Sequence, residues 1–328
     1  MRYRRMKNRI LHIMALLAGL LWGWVSPGLA QYDTRFAQYY MAKNYYNPAY
    51  AGSTENLNRL AITRVEWVGV QGAPKSFFVT GEMPLTLGKT QHGVGAVVYV
   101  DAAGLFLDTH VALQYAYKQK LLGGVLSGGL QVGLVNESFD GTKVYIPDAA
   151  EYFVKAGEDN AIPTTAVSGT GFDVNFGLFY QRKNWYVGLA ATHLTQPEMR
   201  LEENAYFYIG SMYNFMGGYN IALNNPLFEL QPSLFFMTDA KTSWHADVTA
   251  RLEYNKMFNG GLAWRIGESV ALLFGAKIGR FQLGYAFDFA TTQLGKFGAG
   301  SHELMVTYNL KLHKTKTGNN RHKSVRIL

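Results

Sequence analysis

Along most of the chain, apolar and polar residues alternate with a period of two. In 281–289, Phe281, Leu283, Tyr285, Phe287 and Phe289 are separated by Gln282, Gly284, Ala286 and Asp288. In 244–254, Trp244, Ala246, Val248, Ala250, Leu252 and Tyr254 alternate with His245, Asp247, Thr249, Arg251 and Glu253. The same rhythm sets Leu107, Val111, Leu113, Tyr115 and Tyr117 against Asp108, His110, Gln114 and Ala116. It also sets Leu304, Val306, Tyr308 and Leu310 against Glu303, Thr307 and Asn309. Successive side chains of a strand point to opposite faces, so each segment predicts a strand with one apolar and one polar face. Fourteen segments read this way: 57–68, 75–84, 91–101, 105–120, 124–138, 168–182, 184–194, 205–222, 226–239, 242–254, 256–266, 268–279, 280–292 and 299–312. Most run ~10 residues or more, against ~5–6 in soluble sheets, and match a tilted membrane-spanning strand. Within 205–222, Met216-Gly217-Gly218 reads as a bulge or a turn.

Connector lengths alternate as well. The two longest, 139–167 and 195–204, are odd-numbered, as is 293–298, whereas the even-numbered ones include "RKN", "NNP", "YNK" and "GR". An outer-membrane barrel has short periplasmic turns and longer outer loops, which gives this alternation. A secreted β-sandwich would instead enclose its apolar faces in one core. Here the polar faces carry His, Asp, Gln, Arg and Glu, which suits a wet lumen inside a lipid-facing exterior. Closing the ring also satisfies every backbone group, the condition a bilayer imposes. The expected fold is all-β: a transmembrane outer-membrane β-barrel of about 14 antiparallel strands.

The ends of the chain change the charge argument. Arg2, Arg4, Arg5, Lys7 and Arg9 precede an apolar run from Ile10 to Val25, and Gly28 and Ala30 sit three and one before a cut ahead of Gln31. This is the pattern of a cleaved signal peptide over 1–30. The chain carries +8 overall; without the five signal charges it carries +3. Lys314, Lys316, Arg321, Lys323 and Arg326 follow Leu312, so the body between is about −2. Nucleic-acid binding, which needs a basic folded face, loses its support. With no cysteine there are no disulfides, no thiolate metal sites and no lipoprotein anchor. The expected organisation is a signal over 1–30, a plug or periplasmic segment over 31–56, a barrel over 57–312 and a basic periplasmic tail over 313–328.

Chemistry is sparse. The histidines show neither an HExxH motif nor paired zinc spacing, and "SGTGFDVNFG" lies in a strand pattern instead of opening a helix. Ser211, His245 and Asp247 could be put forward as a catalytic set, but their spacing argues for nothing. No catalytic, cofactor-binding or metal site is expected. The 139–167 loop is acidic, with Glu137, Asp140, Asp148, Glu151, Glu158 and Asp159 outnumbering Lys143 and Lys155. It reads as a solvated outer loop, with calcium or a basic partner face as the alternative.

Two long motifs frame the mature chain: "FAQYYMAKNYYNPAYAGS" (36–53) with "RVEWVGVQGAPKSF" (64–77), and "GYAFDFATTQLGKFGAGSHELMVTYNL" (284–310). "GVGAVVYVDAAGLF", "WYVGLAATHLTQP" and "QPSLFFMTDA" fall between them in order. The chain resembles the PorP/SprF family of type IX secretion and gliding membrane proteins over nearly its whole mature length. The resemblance implies a Bacteroidetes-type protein of the cell outer membrane, in contact with the lipid bilayer. It also implies partnership with periplasmic and outer-membrane secretion or gliding proteins, or with a secreted adhesin, and no enzymatic activity. A passive channel or hydrophobic-solute transporter is the alternative. The residues expected to carry interaction are Tyr45, Asn47, Pro48, Tyr50 and Gly52, then Trp67, Gly69, Gly72 and Pro74, then Gly300, Ser301, His302 and Glu303. The tyrosines suit a membrane interface, a lumen plug or a partner surface, since each ring pairs an apolar body with one hydroxyl.

Overall fold

A computed structural model describes residues 33–144, 163–202 and 205–311. The expected signal peptide, the basic tail and most of the acidic loop lie outside the described residues. The first strands are β1 (Asn56–Val65), β2 (Lys75–Leu87), β3 (Thr90–Ala103), β4 (Phe106–Leu121), β5 (Gly124–Asp140), β6 (Ala166–Arg182) and β7 (Trp185–Thr192). A short hairpin of β8 (Glu198–Arg200) and β9 (Tyr206–Tyr208) follows, then β10 (Met212–Tyr219) and β11 (Ile221–Ala222). The remainder are β12 (Phe228–Thr238), β13 (Trp244–Tyr254), β14 (Phe258–Arg265), β15 (Ser269–Ile278), β16 (Phe281–Ala290) and β17 (Ser301–Lys311).

Fourteen of these close into an antiparallel ring. β1 to β7 pair in order, β7 continues to β10, β10 to β12, and β12 to β17 in order. The ring shuts where β1 meets β17, in register from Asn56↔Lys311 to Val65↔His302. Closure leaves no free strand edge, so the ladder hydrogen bonds are all internal. The outward positions are the apolar ones: Leu113 is 66% exposed and Ile278 63%, with Phe274, Leu304 and Trp264 beside them in character. Among the described residues no helix is long and apolar enough to cross a membrane, and the strands are what spans it.

The segment expected as one strand over 205–222 divides. Tyr206–Tyr208 pairs with β8 outside the ring, and only Met212–Tyr219 joins the wall. Ser211 marks the break, its hydroxyl donating to the His193 carbonyl at 2.9 Å. Met216-Gly217-Gly218 is neither bulge nor turn; it is mid-strand, in register with both Val187 and Leu234 through Gly217. The connection between the segments expected over 75–84 and 91–101 is only Gly88-Lys89, because β2 and β3 both run past those bounds.

The lumen is lined by polar faces, as expected, but it is not simply wet. Residues 36–51 lie within the ring and are mostly buried. Phe36, Tyr39, Tyr40, Tyr46 and Ala49 form one core with Phe78, Phe179, Phe235, Met237, Leu273 and Met305 of the wall.

Candidate functional site

The lumen segment begins at Asp33 near the end of the barrel that carries the long connections. It reaches Gly52 at the end that carries the short turns, where β1 starts. Its regular structure is one helical turn, α1 (Lys43–Tyr46), and a 3-10 turn over Pro48–Tyr50. Asn47 stands between them and is fully buried. Its Oδ1 accepts the Ala49 N–H at 2.9 Å, capping the 3-10 turn, and Pro48 fits the first position because it lacks the N–H that would go unused there. Nδ2 of the same side chain donates to the Leu178 and Leu189 carbonyls at 3.0 and 3.1 Å, tying the segment to β6 and β7. The wall makes room with glycine. A Cβ on Gly129 would sit 2.3 Å from the Ala49 Cα, and one on its cross-strand partner Gly177 would sit 2.1 Å from the Asn47 Oδ1. Gly52 takes φ +61, the left-handed region that favours glycine, and its N–H donates to Glu82 at 3.1 Å.

The tyrosines fill the lumen. Tyr45 packs edge-on to Phe36 and Phe78 at centroid distances of 5.3 and 5.0 Å. The Tyr46 hydroxyl accepts the Phe36 N–H at 2.8 Å and donates to the Thr34 carbonyl at 3.2 Å. Tyr39 stacks on Phe235 and shares a hydrogen bond with Ser233 at 2.9 Å. Tyr50 meets Phe179 edge-on at 5.2 Å. Two cations sit on aromatic faces: Arg251 lies 3.5 Å over Tyr40, and Lys43 lies 4.7 Å over Tyr186 and 5.2 Å over Tyr50. Such contacts are worth about 2 kcal/mol each where they are desolvated. Polar anchors complete the fit. Gln114 donates to the Asn44 carbonyl at 2.7 Å, Asn44 donates to Thr80 at 2.6 Å, and Asn214 donates to the Tyr46 carbonyl at 3.3 Å.

At the long-connection end the segment is held by charge. The carboxylate of Glu303, fully buried, accepts the N–H groups of Ala37 and Gln38 at 2.7 and 2.9 Å and the Arg64 guanidinium at 3.3 Å. Arg64 also binds Asp288 and bonds Glu66 at 2.8 Å. Arg265 lies 3.5 Å from Asp288 and 3.6 Å from Asp247, and it donates to the Arg35 carbonyl at 2.7 Å. Arg35 in turn pairs with Glu268, which lies in the turn between β14 and β15 and also meets His245 at 2.7 Å. Burial works against ionisation of Glu268, but the His245 hydrogen bond and the Arg35 charge outweigh it and hold the carboxyl down at about 2. On the opposite wall His193 lies between Asp33 at 3.0 Å and Asp173 at 3.1 Å. Burial alone would lower its basicity, yet Asp33 first and then Asp173 hold the imidazolium well above the ordinary histidine value.

The other expected interaction residues fall into two groups. The Trp67 loop and the Gly300 turn meet: the Trp67 N–H donates to Ser301 at 3.1 Å, Val68 N–H to the Gly300 carbonyl at 2.9 Å, and Ala299 N–H to the Val68 carbonyl at 2.8 Å. Gly72 receives the Gly104 N–H, Pro74 receives the Glu66 N–H, and Gly69 is an exposed turn residue at φ +98. Gly300–Glu303 splits across the wall. Ser301 and Glu303 point into the lumen, while His302 faces outward against Tyr285 at 2.8 Å and the Phe287 ring at 4.9 Å. Ser211, His245 and Asp247 are not brought together; they serve the His193 carbonyl, Glu268 and Arg265 respectively. Among the described residues no group of three acidic or imidazole side chains is arranged to hold a metal. Arg64, Asp288 and Arg265, the centre of the charged anchor, were not singled out from the sequence. Their signal was there: each is a charge on the lumen face of an alternating strand.

Comparison with known proteins places this architecture. The model of the type IX secretion system membrane protein PorP/SprF matches residues 28–308. No curated protein matches the chain in sequence. Among solved structures, the chain is similar to the Pseudomonas putida toluene transporter TodX at 10% identity and a TM-score of 0.49, covering 86% of this chain and 95% of that one. A Pseudomonas aeruginosa FadL homologue gives 11% identity and 0.48, over 82% and 94%. The translocator domain of the autotransporter NalP from Neisseria meningitidis gives 12% and 0.41, over 78% and 88%. With the family match spanning both the lumen segment and the ring that holds it, the chain belongs to the PorP/SprF family of type IX secretion system membrane proteins.

Proposed function

We propose that this outer-membrane barrel acts as an anchoring or assembly partner in type IX secretion or gliding, holding secretion components or a secreted surface adhesin. Residues 1–30 direct export and are removed, and residues 31–56 act as a built-in plug in a Bacteroidetes-type outer membrane. The observation that carries this reading is the occupied lumen. A segment fixed by Glu303 at one end and by Asn47 and Gly52 at the other blocks passive flow and gives the barrel a rigid interior. A scaffold benefits from such an interior, whereas a channel needs open space. The joined Trp67 and Gly300 loops form a braced surface at the long-connection end, suited to a partner.

Crosslinking in intact membranes followed by purification of the tagged barrel tests this. Recovery of secretion or gliding components, or of a large surface adhesin, is the expected result. Capture of none of these, together with stable ion-selective openings of the purified protein in planar bilayers, would overturn the assembly reading in favour of a channel.

A further inference from the structure

The short-turn end of the lumen is not filled. Beyond Gly52 a cavity of about 780 Å³ opens between the end of the lumen segment and the ends of β2 to β6. Its lining carries Lys118, Lys120, Arg182 and Lys183 against a single carboxylate, Glu55. None of these four cations is in ion-pair contact with any carboxylate among the described residues. Glu82, buried nearby, is already committed to the Gly52 N–H and to Asn58, each at 3.1 Å. Lys118 is the informative one. It is only 7% exposed, faces the lumen, and its ammonium finds just two hydroxyls, Ser53 at 2.9 Å and Ser127 at 3.4 Å. Glu82 acts on this ammonium only through space, without an ion-pair contact. A buried ammonium held by hydroxyls alone is incompletely compensated, and an anion entering the cavity would complete that compensation. Leu85, Val125 and Phe179 add apolar surface between the charges.

We infer that this cavity is a docking site for an acidic, partly apolar peptide segment of a partner that enters from the short-turn side. Three features select that occupant. The lining cation Lys118 and its neighbour Ser127 point inward from the wall, so a bilayer lipid on the outer face does not reach them. The volume takes several side chains, more than a free phosphate or carboxylate ion fills. The chain's own segment after Lys311 bears Lys314, Lys316, Arg321, Lys323 and Arg326 and no acid, so like charge excludes it as the ligand. This inference rests on the assembly reading, for which it names one contact chemistry.

The test uses the purified full barrel in neutral detergent and a short fluorescein-labelled peptide alternating Glu and Leu, read by anisotropy. Saturable binding that weakens with salt is expected. Binding should fall at least about tenfold for the matching Gln/Leu peptide and for the triple variant Lys120→Glu/Arg182→Glu/Lys183→Glu, whose side chains lie at the rim. If the triple variant does not fold, the salt dependence and the Gln/Leu comparison on the wild-type barrel decide the matter. Equal binding of the two peptides, indifference of the folded variant, or displacement of the peptide by phosphatidylglycerol micelles would overturn the inference. A barrel that still captures secretion components while failing this assay loses the site alone; one that passes here but captures none loses the assembly reading alone.

Discussion

The two ends of the lumen hold the same segment by opposite means. At the long-connection end, Asp33, Arg35, Ala37 and Gln38 are clamped by ion pairs and by a buried carboxylate, and carboxylates crowd the interior: Asp101, Asp108 and Glu137 line a small cavity of about 70 Å³ with His110 and His193. At the short-turn end, Asn47 to Gly52 carry no ion pair among the described residues. They are held by close fit against glycines, by the Asn47 side-chain hydrogen bonds and by the Gly52 N–H to Glu82, and the adjacent cavity is wide and basic. A single strand shows the reversal: β4 carries Asp108 and His110 at one end and Lys118 and Lys120 at the other. The difference teaches that charge fixes where the segment starts, shape fixes where it ends, and the charge left over at the open end is available to a partner. Each arm of that comparison can be broken separately.

Removing the charged clamp should do the most. Arg64→Ala leaves Asp288 and Glu303 buried without their shared cation. Breaking a buried pair from one side costs about 3–5 kcal/mol. Urea unfolding in detergent should show that loss, and limited proteolysis should release the segment from its Asp33 end first. Unchanged unfolding would mean that Arg265 alone carries the clamp.

The shape arm is tested next. Gly129→Val drives a side chain into the Ala49 backbone without touching the clamp. Overpacking typically costs about 1–3 kcal/mol. The expected sign of success is a barrel still folded on gels, with new conductance in bilayers and cleavage near Tyr50. Asn47→Ala is milder: it removes the cap and leaves the Leu178 and Leu189 carbonyls without their donor. A drop of about 1–2 kcal/mol in unfolding free energy is expected, and no conductance, since the ring packing persists.

These anchors were unequally visible in the sequence. The strands were legible because lipid demands an apolar face; Leu113, Phe274 and Ile278 announce it at every second position. The failure at 205–222 has a local cause: Tyr206 and Tyr208 keep the alternating rhythm but pair with β8 outside the ring. The aromatic segment was legible as a cluster, yet a tyrosine suits lumen, interface or partner surface equally, so its place was not. The charged clamp was least legible. Glu303 meets Ala37 across 266 positions, a proximity created only when β17 closes on β1. Alternation puts Arg64 and Asp288 on the lumen face, but ring closure decides that they share it.

The finest test titrates one clasp of the long-connection end. His193 is held above its ordinary value of 6.5 by burial's being overcome by Asp33 and Asp173, so folding favours the protonated imidazole. A group raised on folding contributes fully below its unfolded value and loses that contribution as pH rises through the folded one. Thermal stability should therefore fall as pH climbs above about 6.5, by at most about 1.4 kcal/mol per pH unit, until the folded value is passed. Asp33 runs the other way: burial opposes its ionisation, His193 outweighs it, and its contribution is lost as pH falls below the ordinary carboxylate value of 3.8. His193→Gln should flatten the alkaline limb and leave the short-turn end untouched. A wild-type curve level from pH 6 to 9 would show that the clasp is uncharged, and the contrast between the two ends would then rest on the Arg64 network alone.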